Sequence, residues 1–434
     1  MKFLSTRSDT AVSLDTALSK GLAADGGLFV PQQMPTLALS AFDGAHGPLS
    51  IAHTYLQPFF EGSALAPELA DIVAETFNFP MPLVDVSTHV DAPLSVLELF
   101  HGPTAAFKDV GAQFLAACLT RLDAAQSHQR PLTILVATSG DTGGAVASAF
   151  DQRPGVRVVV LFPKGRVSPR QQHQLTCWGD NVTALSVDGS FDDCQRLVKA
   201  AFVDDSLNQQ CRFSSANSIN IGRLLPQSVY YAVSSLTYFR AHGVHLNWLI
   251  PTGNLGNGLA AVMARAVGMP IGDITFVSNA NKTLPDYFSS GDYEPRESIA
   301  TVASAMDVGA PSNLERLRYL FGERDALVDR GLHALSIDDA AIREQIRADH
   351  HRLPFVWCPH SATAMHVWDA LDDVQKARHW AVVATAHPAK FDTIVEPLVG
   401  SSVEMPSALA ALMQRPTKFD TISPDLDALR TALV

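Results

Sequence analysis

Asn247-Trp248-Leu249-Ile250-Pro251-Thr252-Gly253-Asn254-Leu255-Gly256-Asn257-Gly258-Leu259-Ala260-Ala261 decides the fold, because an unbroken apolar run ends in glycines and an apolar helix begins directly after them. A short continuous apolar run has no polar face to turn to solvent, so it reads as a strand buried on both sides. The arrangement recurs along the chain. Thr133-Ile134-Leu135-Val136 runs into Ser139-Gly140, and Val156-Arg157-Val158-Val159-Val160-Leu161 into Pro163-Lys164-Gly165. Ile274-Thr275-Phe276-Val277 runs into Ser278-Asn279, and Ala381-Val382-Val383-Ala384 into Thr385. Such strands alternating with helices specify α/β architecture: open, mostly parallel sheets flanked by helices. Ligands bind beyond the carboxyl ends of strands in these sheets, where the small polar clusters fall.

The rest of the chain bounds the function. With 434 residues, two or three domains are expected at roughly 100–200 residues each. The charged fraction is only 18%, against 47% hydrophobic, so the chain should fold rather than stay disordered. Its net charge of −12 repels polyanions, and no Lys/Arg-rich stripe overcomes that, which argues against a nucleic-acid partner. The five cysteines, Cys118, Cys177, Cys194, Cys211 and Cys358, include no C-x-x-C pair; reduced thiols in a cytoplasmic protein fit better than disulfides or a metal site. No secretory h-region opens the sequence and no apolar run reaches ~18 residues, so neither export nor membrane anchoring is expected. Lysine is scarce, with nine in all.

Periodicity and turns divide the chain into a small, mainly helical unit over residues 1–90, an α/β region over 91–400 and a helical tail over 401–434. Within the α/β region a smaller lobe, roughly 125–225, is expected to be inserted in the larger. Phe114, Leu115, Cys118, Leu119 and Leu122 mark one buried helical face, and a polar run from Ser214 to Arg223 precedes an apolar helix from Leu224 to Phe239. Ser336 and Asp339 have the spacing of a capping box.

Five segments could carry chemistry. Lys108, in His101-Gly102-Pro103-Thr104-Ala105-Ala106-Phe107-Lys108-Asp109, follows apolar residues, and an amine that loses solvation falls in pKa toward neutrality and becomes a usable nucleophile. An arbitrary lysine snorkels at the surface instead; scarcity and apolar context weigh against that here without settling it. The glycines at 253, 256 and 258 let successive N–H groups converge on a phosphate at a helix start, although a plain strand-to-helix turn has the same composition. They fit neither a P-loop, which needs a following lysine, nor the G-x-G-x-x-G of a nicotinamide dehydrogenase. Thr138-Ser139-Gly140-Asp141-Thr142-Gly143-Gly144 could hold a carboxylate, or simply cap a helix, and Asp141 should face elsewhere or accept a hydrogen bond because like charges repel. Ser214-Ser215-Ala216-Asn217-Ser218-Ile219-Asn220-Ile221-Gly222-Arg223 gathers amides, hydroxyls and one guanidinium suited to a phosphate dianion. Thr385-Ala386-His387-Pro388-Ala389-Lys390-Phe391 puts a hydroxyl at a strand end, with His387 reading as structural.

In this order the five segments resemble the threonine synthase family, pyridoxal-phosphate enzymes of the tryptophan-synthase-β (type II) fold. Gly21-Leu22-Ala23-Ala24-Asp25-Gly26-Gly27, Ser304-Ala305-Met306-Asp307-Val308 and Pro311-Ser312-Asn313-Leu314-Glu315-Arg316 extend the resemblance over residues 1 to about 400. It implies that Lys108 forms the Schiff base with pyridoxal 5'-phosphate and then serves as general base. It further implies that Gly253, Asn254, Leu255, Gly256 and Asn257 hold the cofactor phosphate and that Thr385 hydrogen-bonds the ring nitrogen. Ser139, Asp141 and Thr142 would meet the substrate carboxylate and cofactor rim, and Asn217, Ser218 and Arg223 the substrate's phosphate. The implied reaction takes O-phospho-L-homoserine and water to L-threonine and phosphate, with the lobes closing on substrate. A serine/threonine dehydratase would share the lysine and the cup but have no use for the second anion site; a non-catalytic relative would have no need of Lys108. A monomer or weak homodimer is expected, without control by S-adenosylmethionine.

Overall fold

Alternation within single strands explains why the apolar runs are continuous. In the computed structural model, which describes residues 1–125 and 130–433, Val158 and Val160 enter one core while Val159 and Leu161 enter another on the opposite face. Trp248 and Ile250 likewise part from Leu249, and Ala381 and Val383 from Val382. Each fully buried Val, Leu or Ile contributes roughly 1.5–3 kcal/mol, so a polar residue on either face would be costly.

The strands in chain order are β1 (Lys2–Ser5), β2 (Ser8–Ser13), β3 (Phe29–Pro31), β4 (Leu83–Asp85), β5 (Leu94–Glu98), β6 (Leu132–Ala137), β7 (Val156–Pro163), β8 (Val182–Val187), β9 (Arg212–Ser215), β10 (Leu246–Pro251), β11 (Ile271–Ser278), β12 (Leu332–Ser336), β13 (Trp380–Ala384) and β14 (Asp420–Ile422). Among the described residues, a six-stranded sheet runs β12-β11-β10-β13-β5-β4, parallel except where β4 meets β5. A five-stranded sheet, β14-β8-β7-β6-β9, is parallel throughout. Their inner faces share one core with the helices Lys108–Ala124, Ile221–His242 and Gly256–Val267. Asp339–Arg352 and Pro359–Asp369 cover the outer face of the larger sheet; Phe191–Val203 and Leu426–Leu433 cover that of the smaller. The helical face read from Phe114 to Leu122 is buried as expected.

Three local readings change. The N-terminal segment also contains an antiparallel sheet, β2-β1-β3, whose short strands carry too few apolar residues to register as a pattern. The 401–434 tail is not helical throughout, because β14 pairs with β8 and satisfies the edge of the smaller sheet. The helix after β12 begins at Asp339 and is capped by Asp338, which accepts from the Ala341 N–H at 2.9 Å; Ser336 still belongs to the strand. No helix among the described residues is long and apolar enough to cross a membrane.

Candidate active site

Lys108 opens the helix Lys108–Ala124, and the loop before it is pinned to the end of β13. The Phe107 N–H donates to the Thr385 carbonyl at 2.8 Å and the His387 N–H to that of Ala105 at 3.0 Å, so the two strongest sequence signals meet through the backbone. Ala105 holds φ +54°, a left-handed conformation that costs an alanine roughly 1–2 kcal/mol and persists only where its surroundings enforce it. Thr104 ties the same loop to Asp109 through its N–H (2.9 Å) and hydroxyl (2.6 Å). The Lys108 amine is drawn down to about 8, first by desolvation; Asp141 pulls the other way, and Lys390 and Arg223 add to the lowering. No ion-pair partner touches it among the described residues.

The glycine-rich turn forms a cup at the carboxyl end of β10. Leu255 takes φ +63° with its side chain buried, which turns successive N–H groups toward one point at the N-terminus of Gly256–Val267. The N–H groups of residues 253–257 find no acceptor in the protein among the described residues. A Cβ on Gly253 would sit 2.8 Å from Met306 Cα, so only glycine lets the two backbones approach. The Asn254 side chain does not face the cup: it donates to the Ser218 hydroxyl and accepts from the Ser312 N–H (2.6 Å) and hydroxyl (2.8 Å). Asn257 accepts from the Tyr231 hydroxyl at 2.9 Å and leaves its buried Nδ2 without a partner.

The second polar run lies beside this cup. Asn220 caps Ile221–His242, accepting from the Gly222 N–H at 2.9 Å. Arg223 is buried against Gly111, anchored by one donor to the Ala216 carbonyl, with its Nε unpartnered; burial brings its pKa down to about 10. The buried Oδ1 of Asn217 is also unpartnered.

At the end of β6, Thr138 performs the capping expected of its neighbours, accepting from the N–H groups of Gly140 (3.0 Å) and Gly143 (2.9 Å). Ser139 and Thr142 stay partly exposed. Asp141 accepts hydrogen bonds from within the protein. Its Oδ1 accepts from Lys390 Nζ at 2.9 Å and Gln171 Nε2 at 3.1 Å, both buried, so its carboxylate is bonded to protein and does not offer a second anion to a substrate carboxylate.

Thr385 is held by Ser361, whose hydroxyl accepts from the Thr385 N–H at 3.0 Å and lies 3.4 Å from its hydroxyl. Next to Ser361, His360 accepts from the Ala305 N–H through Nε2 at 3.0 Å, which places the ring proton on a buried, unpartnered Nδ1. Desolvation pushes its pKa down to about 4, keeping it neutral. His387 caps the turn Pro388–Phe391, its Nδ1 accepting from the Ala389 N–H at 3.2 Å.

These features test the cofactor. Pyridoxal phosphate needs a desolvated amine, a cradle of free N–H groups and polar contacts for its ring. Lys108, the cup at 253–257 and the hydroxyl of Thr385 meet those needs, and the orphaned Nδ atoms of Asn257 and His360 are buried donors awaiting an acceptor. The residues fit the group. Sequence reasoning missed His360, Ser361, Gln171, Lys390 as an ion-pair partner, and Arg316. Arg316 is fully buried and reaches the carbonyls of Phe29 (3.0 Å) and Ile219 (2.5 Å) and the Asn313 amide oxygen (2.8 Å). Signals existed for two of them: Lys390 is one of nine lysines, and Arg316 closes a segment that already carried the resemblance.

Comparison with known proteins agrees with this geometry. Residues 75–388 match the model of pyridoxal-phosphate dependent enzymes, residues 2–77 that of the threonine synthase N terminus, and residues 361–433 that of the threonine synthase C-terminal region. The chain is 38% identical to a threonine synthase of Haemophilus influenzae, with 98% of this chain and 97% of that one covered. It is 36% identical to one of Serratia marcescens, covering 98% and 96%. Among solved structures it is similar to threonine synthase from Escherichia coli (TM-score 0.90, 34% identity, 100% and 99% covered). It is equally similar to PLP-bound threonine synthase from Brucella melitensis (TM-score 0.89, 35% identity, 100% and 98% covered). The chain therefore belongs to the threonine synthase family of pyridoxal-phosphate-dependent enzymes.

Proposed function

We propose that this chain converts O-phospho-L-homoserine and water into L-threonine and inorganic phosphate, with Lys108 as its catalytic residue. The observation that carries the reading is one desolvated amine, drawn to about pKa 8, on a helix packed against the half-anchored guanidinium of Arg223, with the free N–H groups of the cup following β10, the strand paired with β13. When bound, pyridoxal 5'-phosphate supplies a carbonyl carbon that captures amines and a ring that withdraws electrons from the substrate's α-carbon. Lys108 would hold that carbonyl carbon, Gly253, Asn254, Leu255, Gly256 and Asn257 the phosphate, and Thr385 the ring nitrogen. Thr385 is a neutral hydroxyl, so it orients without adding charge.

Ser139 precedes and Thr142 lies in the first turn of Asp141–Phe150, whose positive end suits the substrate's carboxylate. Lys108, once its amine is free and neutral, takes the protons that must leave the α- and β-carbons before phosphate can depart from the γ-carbon. Water then adds at the β-carbon, and protons return to the γ- and α-carbons. Asn217, Ser218 and Arg223 receive the leaving dianion; Arg223 is already fixed by Ala216, so little reorganisation is needed. Closure of the lobes would keep water out until phosphate has left. Five free, buried cysteines suit a reducing compartment, and we place the enzyme in the cytoplasm as a monomer or weak homodimer.

The test is the visible absorbance of the purified protein with and without borohydride, followed by phosphate release from O-phospho-L-homoserine. A protein that gains no cofactor band on adding pyridoxal phosphate would refute the proposal, as would one that binds the cofactor yet releases no phosphate.

A further inference from the structure

Lys390 has no role in the reaction described so far, yet it is fully buried, ion-paired and bonded to the loop that leads into Lys108. Its ammonium donates to Asp141 Oδ1 at 2.9 Å and to the Thr104 carbonyl at 2.7 Å. Asp141 belongs to the helix after β6, in the smaller sheet's layers, whereas Lys390 follows β13 of the larger sheet and Thr104 lies in the loop leading to Lys108. The pair thus crosses from one sheet's layers to the other's. Gln171 and Gln174, from the helix Pro169–Thr176, brace both ends: Gln171 donates to Asp141 at 3.1 Å and Gln174 to the Thr104 carbonyl at 3.1 Å.

We propose that Lys390 is a positioning residue: it occupies the Asp141 carboxylate and so keeps that carboxylate from forming an ion pair with Lys108, leaving the Lys108 amine able to become neutral. The inference rests on the function proposed above. A buried carboxylate without a partner recruits the nearest cation, and burial of the resulting pair would hold its proton firmly. The charged and titratable groups around Lys108 are Asp141, Lys390, Arg223 and His360, with Asp109 beside it in sequence. Of these, Arg223 is anchored to the Ala216 carbonyl and His360 is neutral, so neither neutralises Asp141; Lys390 does.

The test is a charge cycle in the cofactor-loaded enzyme, read as the midpoint of visible absorbance against pH and as the acid limb of kcat. Lys390→Met should raise both midpoints by about one pH unit, the low end of what a nearby opposite charge produces, and should lower kcat at pH 7 about tenfold. Asp141→Asn should lower the midpoints, and the double variant Lys390→Met/Asp141→Asn should return toward the wild type, a recovery that lost packing alone would not produce. Unmoved midpoints in the single variants, or a double variant shifted as far as Lys390→Met, would overturn the proposal. Should Lys390→Met not fold, Asp141→Asn and the double variant decide it by the same criteria. A wild type without a cofactor band would instead refute the proposed function, so the two failures are distinguishable.

Discussion

Arg316 offers the sharpest test of how the site is held together. Its guanidinium is fully buried, and burial alone brings its pKa down to about 9. Among the described residues no carboxylate pairs with it, and neighbouring Glu315 turns to Arg7 at 2.9 Å. Instead it donates to the carbonyls of Phe29 and Ile219 and to the Asn313 amide, joining β3, the loop before Ile221–His242 and the segment that grips Asn254. Arg316→Met keeps most of the apolar stem and removes the donors. The Phe29 and Ile219 carbonyls and the Asn313 amide, the three acceptors within 3.0 Å, left without this donor at about 1–3 kcal/mol each give roughly 3–9 kcal/mol gross, with a longer contact to the Ser218 carbonyl at 3.4 Å adding little. The charged group's own desolvation, several kcal/mol, is relieved at the same time, leaving a net loss of about 2–4 kcal/mol. Because the freed carbonyl of Ile219 lies between Ser218 and Asn220, the loss should appear in substrate binding as well. Urea unfolding and steady-state kinetics on O-phospho-L-homoserine would show a lower midpoint and a KM raised about tenfold, equivalent to about 1.4 kcal/mol of the disruption. Arg316→Lys should not rescue, since one ammonium cannot span three planar contacts. A variant with unchanged urea midpoint and unchanged KM would refute the reasoning.

Other outcomes follow from the same geometry. Gly253→Ala should weaken cofactor retention about tenfold or more, measured by absorbance after dialysis, because the new Cβ meets Met306 Cα at 2.8 Å; Gly44→Ala, with nothing within 4 Å, should not. Arg223→Ala should lower kcat/KM for the phosphorylated substrate by about a hundredfold and spare a substrate lacking phosphate; equal losses would remove Arg223 from the phosphate site. For pH, His360 has a depressed folded pKa, so its contribution to stability is present above about 6.5 and is lost as pH falls through about 4. That loss is on the order of 3 kcal/mol, and His360→Gln should remove it while keeping an acceptor for Ala305. The comparison must be between variant and wild type, since Asp109 and Asp307, raised to about 6 by burial, stabilise the fold in the opposite sense as pH falls. Parallel stability–pH curves for the two proteins would contradict the neutral state of His360.

The strands at 133–136, 156–161, 247–250, 274–277 and 381–384 were legible because burial on both faces leaves no room for polar residues, and that demand is written locally in composition. Lys108, the glycine at 253 and the hydroxyl of Thr385 were legible for a related reason: a desolvated amine, a close backbone approach and a strand-end hydroxyl each need a particular residue type at a particular place in its own segment. The Ser336 cap and the all-helical tail failed where the choice was made by a neighbour remote in sequence, β8 in the case of β14.

By itself, then, the sequence determined the α/β class, the family and the chemistry available at each strand end, since these depend on short-range patterns of apolar, glycine and polar residues. Only the tertiary structure decided which charges neutralise one another. Asp141 and Lys390 are separated by most of the chain and meet at 2.9 Å because two sheets pack across a shared core, and Arg316 finds Phe29 for the same reason. A buried charge is stabilised by whatever surrounds it in space, and no spacing along the chain reports that.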